Sequence, residues 1–172
     1  MILIPNPKCG LECYVDADFC GAYKQCVELE TDYMIMRSRT GYAINFADVP
    51  IMWISKRQSE IALSTTEAEF IALSQSLRDV IPIQSFLREL NDLFDLRIVE
   101  PLIKSTVFED NNGALEVART PRIRPRTKHI SIKYSHFREK VDNGDVTIEK
   151  IDTKAQHGDL FTKPLPLTSF VS

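Results

Sequence analysis

The chain has 172 residues, 44% hydrophobic and 26% charged, with a net charge of -3. A chain of this length can bury a sizeable core without disulfides or structural metal, so one domain spanning residues 1–172 is expected, its last few residues a tail. No stretch approaches the roughly 20 apolar residues of a membrane span, and Pro5 and Pro7 interrupt the opening segment where a secretory signal would need an apolar run, so an intracellular protein with no membrane partner is expected.

In chain order, Leu11, Cys13 and Val15 alternate with Glu12, Tyr14 and Asp16, the period-2 pattern of a strand. Residues 42–46 and 51–54 read as two further strands of an antiparallel meander. From Thr65 onward Phe70, Leu73 and Leu77 recur at helical spacing, and Ile83, Phe86, Leu87 and Leu90 predict a second helix with Pro82 near its start. A strand is expected over residues 102–108 and a short helix over 111–118. Ile130, Tyr134, Phe137 and Val141 predict an amphipathic helix ending at Asn143-Gly144. Residues 146–151 form the last expected strand, and a terminal helix begins near Asp159 and is stopped by Pro164 and Pro166. The fold class is α/β: a mixed five-stranded sheet with flanking helices, whose later strands are joined by helical crossovers and are therefore parallel. That order of elements is shared by unrelated folds and does not by itself specify a function.

Cys9, Cys13, Cys20 and Cys26 crowd the first 26 residues, but they include no C-x-x-C pair and no histidine lies near them in sequence. Four reduced thiols are expected rather than a zinc site. Charge is unevenly spread. Arg119, Arg122, Arg124, Arg126, Lys128 and Lys133 fall in one segment without an acid, which leaves about -9 on the remainder. This strip is either a solvated, proline-interrupted loop or a surface for phosphates.

Asp16 stands in a strand among Tyr14, Val15 and Phe19, where a buried carboxylate requires a cation, hydrogen bonds or a proton. Glu67 and Glu69 each fit a capping box, with Ser64 and Thr66 respectively, so spacing leaves open which of them caps the helix. Asp110 and Asp159 each precede a helix and could equally be N-caps. Taken together they differ, because strand-to-helix junctions of an α/β sheet share one edge, where converging acids raise one another's pKa unless cations are bound.

Seven blocks then carry a family resemblance: Tyr14-Val15-Asp16-Ala17-Asp18-Phe19, Arg37-Ser38-Arg39-Thr40-Gly41-Tyr42, Trp53-Ile54-Ser55-Lys56-Arg57-Gln58, Leu63-Ser64-Thr65-Thr66-Glu67-Ala68-Glu69-Phe70-Ile71-Ala72-Leu73, Glu109-Asp110-Asn111-Asn112-Gly113-Ala114, Arg126-Thr127-Lys128-His129-Ile130 and Asp159-Leu160-Phe161-Thr162-Lys163-Pro164-Leu165. In this order they resemble the ribonuclease H domains of copia-type retrotransposon polyproteins. The resemblance implies a ribonuclease H-like fold and Asp16, Glu69, Asp110 and Asp159 as catalytic, metal-binding carboxylates. It selects Glu69, which directly precedes Phe70-Ile71-Ala72, and leaves Glu67 as the cap. It departs from the family pattern at Phe19, usually Trp, at Ser131, usually an acid, and at Gly158, usually Ala.

The implied activity is endonucleolytic hydrolysis of the RNA strand of an RNA-DNA hybrid during reverse transcription, with the reverse transcriptase domain of the same polyprotein as a partner. All-oxygen ligands favour two Mg²⁺ or Mn²⁺ ions, which in a two-metal site lie about 3.5 to 4 Å apart. Lys56, Arg57, Arg122, Arg124, Arg126 and Lys128 are the expected phosphate contacts, and His157, two residues before Asp159, is the histidine placed to move protons. Two other functions compete. One is a nucleic-acid-binding or assembly module that has kept the fold and lost catalysis. The other is an integrase-like strand transferase, which would want the acids in the order Asp, Asp, Glu rather than Asp, Glu, Asp, Asp. Crowded acids also imply that neutralising Asp16 stabilises the metal-free fold.

Overall fold

Alternation along the first strand sorts its side chains between two faces in the computed structural model, which describes residues 4–6, 8–21, 36–96, 103–119 and 136–164. β1 (Leu11–Asp18) buries Leu11, Cys13, Val15 and Ala17 in the main core. It pairs antiparallel with β2 (Arg39–Phe46), which pairs antiparallel with β3 (Val49–Arg57). Then follow α1 (Thr65–Phe94), β4 (Ser105–Glu109), α2 (Asn112–Arg119), α3 (Arg138–Asp142), β5 (Val146–Lys150), a 3-10 turn (Thr153–Ala155) and α4 (Asp159–Thr162). The sheet order is β3-β2-β1-β4-β5, with β4 parallel to both β1 and β5. The mixed five-stranded sheet and its meander are therefore as expected from the sequence.

α1 corrects one expectation. Where two helices were expected, the structure has a single helix of 30 residues with Pro82 inside it. An interior proline removes one helical hydrogen bond and costs on the order of 3 kcal/mol. Tertiary contacts on either side of it hold the helix together. Leu77 and Val80 are fully buried just before the proline. Just after it, the buried Gln84 donates from Nε2 to the carbonyls of Ile103 (3.1 Å) and Asp145 (2.7 Å), and Arg88 pairs with the Asp145 carboxylate at 2.7 Å. Sequence periodicity cannot register such long-range anchors.

The other boundaries move by a few residues. β4 begins at Ser105 rather than 102, because Ile103 has helical backbone and Lys104 lies in a bend. Of the expected amphipathic helix only Arg138–Asp142 is described, and Ile130 and Tyr134 lie outside the described residues. Cys9, Cys13 and Cys20 are free thiols, and Cys26 lies outside the described residues. Cys13 is fully buried, and burial pushes its thiol up to about 12. No described helix is long and apolar enough to cross a membrane.

One asymmetry of the sheet positions everything functional. β4 pairs with β1 only as far as Tyr14 opposite Phe108, whereas β1 continues to Asp18 with β2 as its ladder partner. The sheet thus opens between β1 and β4, and Asp16 lies at that opening.

The β2–β3 hairpin turns through Ala47 (φ 52°) and Asp48 (φ 66°), the two left-handed central residues of a type I′ turn. Ala carries a Cβ penalty there that Asn tolerates better. Ala47→Asn is expected to raise the urea midpoint at unchanged m-value, by about 0.5–1 kcal/mol of stability.

Candidate active site

Asp16, Glu69 and Asp110 reach one point from three elements. Asp16 comes from β1, Glu69 from the second turn of α1, and Asp110 from the residue after β4. One carboxylate oxygen from each lies within 4.8 Å of the other two. Among the described residues this is the one group of three or more acidic, histidine or cysteine side chains so gathered, and the cysteines form none.

Two caps divide the labour among neighbouring residues. Ser64 caps α1 by accepting from the Glu67 amide at 3.1 Å, and Glu67 accepts from the Leu63 amide at 2.8 Å. That occupies Glu67 at the helix start and leaves Glu69, half a turn further on, to face β1. At α2 the side-chain oxygen of Asn111 accepts from the Ala114 amide at 3.0 Å, so the cap is Asn111 and not Asp110. Asp110 accepts instead from the Thr153 hydroxyl at 2.8 Å.

Asp159 is linked to the group through a cation. Lys163 Nζ lies 2.7 Å from the Asp159 carboxylate, its i,i+4 neighbour, and 3.2 Å from that of Asp16. Asp16, only 1% exposed, also accepts from the Thr162 hydroxyl. Two glycines permit this approach. A Cβ on Gly41, opposite Asp16 in β2, would lie 2.6 Å from Thr162 Cγ2 and 2.8 Å from Phe161 Cβ. A Cβ on Gly158 would lie 2.8 Å from the Asp16 amide nitrogen. The departure at Gly158 therefore coincides with the place where the loop before α4 rests directly on β1.

The electrostatics are those of acids kept from water. Burial, then the charges of Glu109, Asp16 and Asp110, raise Glu69 to about 10. Its Oε2 is buried and has no hydrogen-bond partner. Burial also raises Asp16, opposed by the Thr162 hydroxyl and by Lys163. Lys163 would be lowered by burial, but the hydrogen bond and charge of Asp159 and the charge of Asp16 carry it above its ordinary value.

Sequence reasoning missed three participants. Glu109 is fully buried beside the group and raised by burial to about 8; its Oε1 accepts from the Asn111 amide at 3.0 Å and its Oε2 has no partner. Strand alternation would have found it, since Ser105, Val107 and Glu109 are the buried set of β4. Lys163 was legible as the i,i+4 neighbour of Asp159, whereas nothing local marked Thr162 as a partner of Asp16.

The remaining expected residues lie elsewhere. The ring of His157 packs on Tyr14, centroids 4.3 Å apart, and His157 makes no hydrogen bond to a carboxylate among the described residues. Lys56 and Arg57 end β3 on the surface. Arg122, Arg124, Arg126 and Lys128 lie outside the described residues. At the start of the basic strip, Arg119 donates to the carbonyl of Ile148, which is a structural use of that side chain.

No family model matches the chain. It is 34% identical over 160 residues to the retrovirus-related Pol polyprotein of transposon TNT 1-94 from Nicotiana tabacum, covering 93% of this chain and 11% of that protein. To the corresponding polyprotein of transposon RE1 from Arabidopsis thaliana it is 32% identical over 161 residues, covering 94% of this chain and 10% of that protein. Among solved structures it is similar to LC11-RNase H1, isolated from compost by a metagenomic approach, with a TM-score of 0.56 and 16% identity over 88% of this chain and 91% of the other. The same enzyme in complex with an RNA/DNA hybrid gives a TM-score of 0.52 at 14% identity, over 88% of this chain and 92% of that one.

The chain is a homologue of copia-type Pol polyproteins and has a ribonuclease H-like fold. The chain spans about a tenth of the length of the polyproteins it matches.

Because the folded pKa values of Glu69 (about 10) and Glu109 (about 8) lie above the ordinary 4.5, the folded state binds more protons than the unfolded one. Their contribution to stability is fully present below about pH 4.5 and is lost as pH rises through 8 to 10. Melts in EDTA are expected to show a Tm falling between pH 5 and pH 9. The relief expected of neutralising Asp16 belongs more to Glu69, because Asp16 already has Lys163 and Thr162 as partners while Glu69 Oε2 has none. At pH 7.5 in EDTA, Glu69→Gln should therefore gain more in Tm than Asp16→Asn, and the opposite order would show Glu69 to be the better compensated acid.

Proposed function

We propose that this domain is a divalent-metal-dependent endonuclease that hydrolyses the RNA strand of an RNA-DNA hybrid, acting beside the reverse transcriptase of its own polyprotein during intracellular reverse transcription, in a cytoplasmic particle or the nucleus. The observation that carries the proposal is the gathering of Asp16, Glu69 and Asp110 from distant parts of the chain within 4.8 Å of one another. Desolvated acids at that spacing are held together only by protons or by a cation.

The residues fit a hard cation. All donors are carboxylate oxygens, and the partnerless Oε2 of Glu69 is what a ligand atom without its metal would be. Asp16, Glu69 and Asp110 would hold one Mg²⁺ or Mn²⁺, and Asp16 with Asp159 a second, in the place the Lys163 ammonium now bridges. Bound ions of this kind activate a water and offset the charge that builds on the leaving 3'-oxygen.

The chain's own residues supply position. Thr162 orients Asp16, Thr153 orients Asp110, and the Glu109–Asn111 bond fixes the turn between β4 and α2. Lys56, Arg57 and the strip from Arg122 to Lys128 are assigned to substrate phosphates, and His157 to proton movement during product release. Contacts to 2'-hydroxyls would select RNA over DNA.

Incubation of the purified protein with an end-labelled RNA-DNA hybrid is expected to yield 5'-phosphate-terminated RNA fragments with Mg²⁺ and none with EDTA. Asp16→Asn, Glu69→Gln and Asp110→Asn should each lower the rate by roughly 10³-fold or more. Hybrid binding without cleavage under any divalent ion would instead identify a non-catalytic module on the same fold.

Glu67→Ala separates the two glutamates. It is expected to cost about 1 kcal/mol of stability through the lost cap while hydrolysis stays within a few-fold of the parent. A loss of hydrolysis as deep as that of Glu69→Gln would reverse the assignment.

A further inference from the structure

A cavity opens beside the sheet on the α1 side, with a volume of about 380 Å³, lined by Lys56, Arg57, Ser59, Gln75, Arg78 and Asp79. Three cations and one acid share its wall, and the acid is already engaged, since Asp79 accepts from the Tyr42 hydroxyl. Neither Lys56 nor Arg78 is held by an ion pair or hydrogen bond to another described residue, and both are exposed. Ser59 adds a hydroxyl and Gln75 an amide, both groups that can donate to an anionic oxygen.

The register places this cavity relative to the carboxylates. Lys56 lies opposite Thr40 of β2, and Thr40 lies opposite Ala17, the residue after Asp16. Two inter-strand steps separate them by about 10 Å. Along α1, Arg78 follows Glu69 by nine residues, a rise of about 13 Å. Both intervals are short enough for a strand held at the carboxylates to reach the cavity within a few nucleotides.

We propose that this cavity is an anion subsite that takes a backbone phosphodiester of the nucleic acid, a few nucleotides from the bond at the carboxylates, with Arg78 as its principal ligand and Lys56 and Ser59 beside it. The subsite rests on the nuclease function only in its choice of ligand, the phosphates of a hybrid. Arg78 is its distinguishing residue, because a planar guanidinium can grip a phosphate through two parallel N–H bonds. A free phosphate ion offers the same chemistry, so the test must separate the two sources.

Fluorescence anisotropy of a labelled RNA-DNA hybrid, measured in EDTA so that nothing is cleaved, reads binding apart from hydrolysis. Arg78→Ala is expected to weaken binding about tenfold and to reduce the slope of log K against log salt by about one, with Arg78→Lys losing less. Lys56→Ala should reduce the slope similarly. Lys104→Ala, an exposed cation at the opposite end of the sheet, should match the parent. The proposal is overturned if Arg78→Ala binds like Lys104→Ala, or if the parent does not bind hybrid at all. In a parallel calorimetric titration, inorganic phosphate bound through Arg78 while hybrid binding ignores Arg78 would overturn nucleic acid as the source. A parent that binds hybrid through Arg78 yet never cleaves it supports the subsite and refutes only the hydrolase assignment.

Discussion

Removing a carboxylate from water is expensive, and this fold does it repeatedly at one place. Asp16, Glu69 and Glu109 are all under 5% exposed, and two of them carry an oxygen without a partner. Desolvation and mutual repulsion act in the same direction, which is why the acids of this region titrate high. Such an arrangement opposes folding, so it persists only where the rest of the molecule over-determines it. The constraint explains features that have no role in an ordinary core. It requires a sheet opening between β1 and β4, a helix whose cap is handled by residues other than the catalytic candidate, and a lysine bridging two acids.

The supporting structure is built from interactions that hold backbone rather than substrate. Ser64 and Glu67 close the start of α1, Asn111 closes α2, and Gly41 and Gly158 let α4 and its preceding loop lie on β1 and β2 without a Cβ between them. Gln156 adds a bond from Nε2 to the Val15 carbonyl at 2.8 Å, fastening that loop beside Asp16. Each contact fixes the direction of a neighbouring acid by occupying an alternative partner or excluding an alternative packing. Precision at the carboxylates therefore comes from caps and close backbone approach, which lose little conformational entropy compared with long exposed side chains.

The comparisons separate ancestry from architecture. Identities of 34% and 32% across nearly the whole chain tie it to plant Pol polyproteins, while identity to ribonuclease H1 enzymes falls to 16% with the strand and helix arrangement retained. In this chain the order β3-β2-β1-β4-β5 brings the ends of β1 and β4 together with the start of α1. A sheet permits many replacements in its core provided the inward set stays apolar, and the site depends on strand ends rather than on core identity.

From the sequence alone, alternation determined the strands and α/β class, and the blocks around Asp16, Glu69, Asp110 and Asp159 determined the family. These were legible because period, caps and short motifs are local. Local pattern could not decide that Pro82 leaves α1 unbroken, since the bonds from Gln84 to Ile103 and Asp145 cross 19 and 61 positions. Nor could it decide between two capping boxes half a turn apart, which required the direction of each glutamate relative to β1. Tertiary structure also revealed that Glu109 is fully buried beside the acids and that Lys163 joins Asp16 to Asp159. The division has one physical cause. Backbone preference acts over a few residues, whereas the protonation and partners of a buried charge are set by whatever the fold packs around it, wherever those groups lie along the chain.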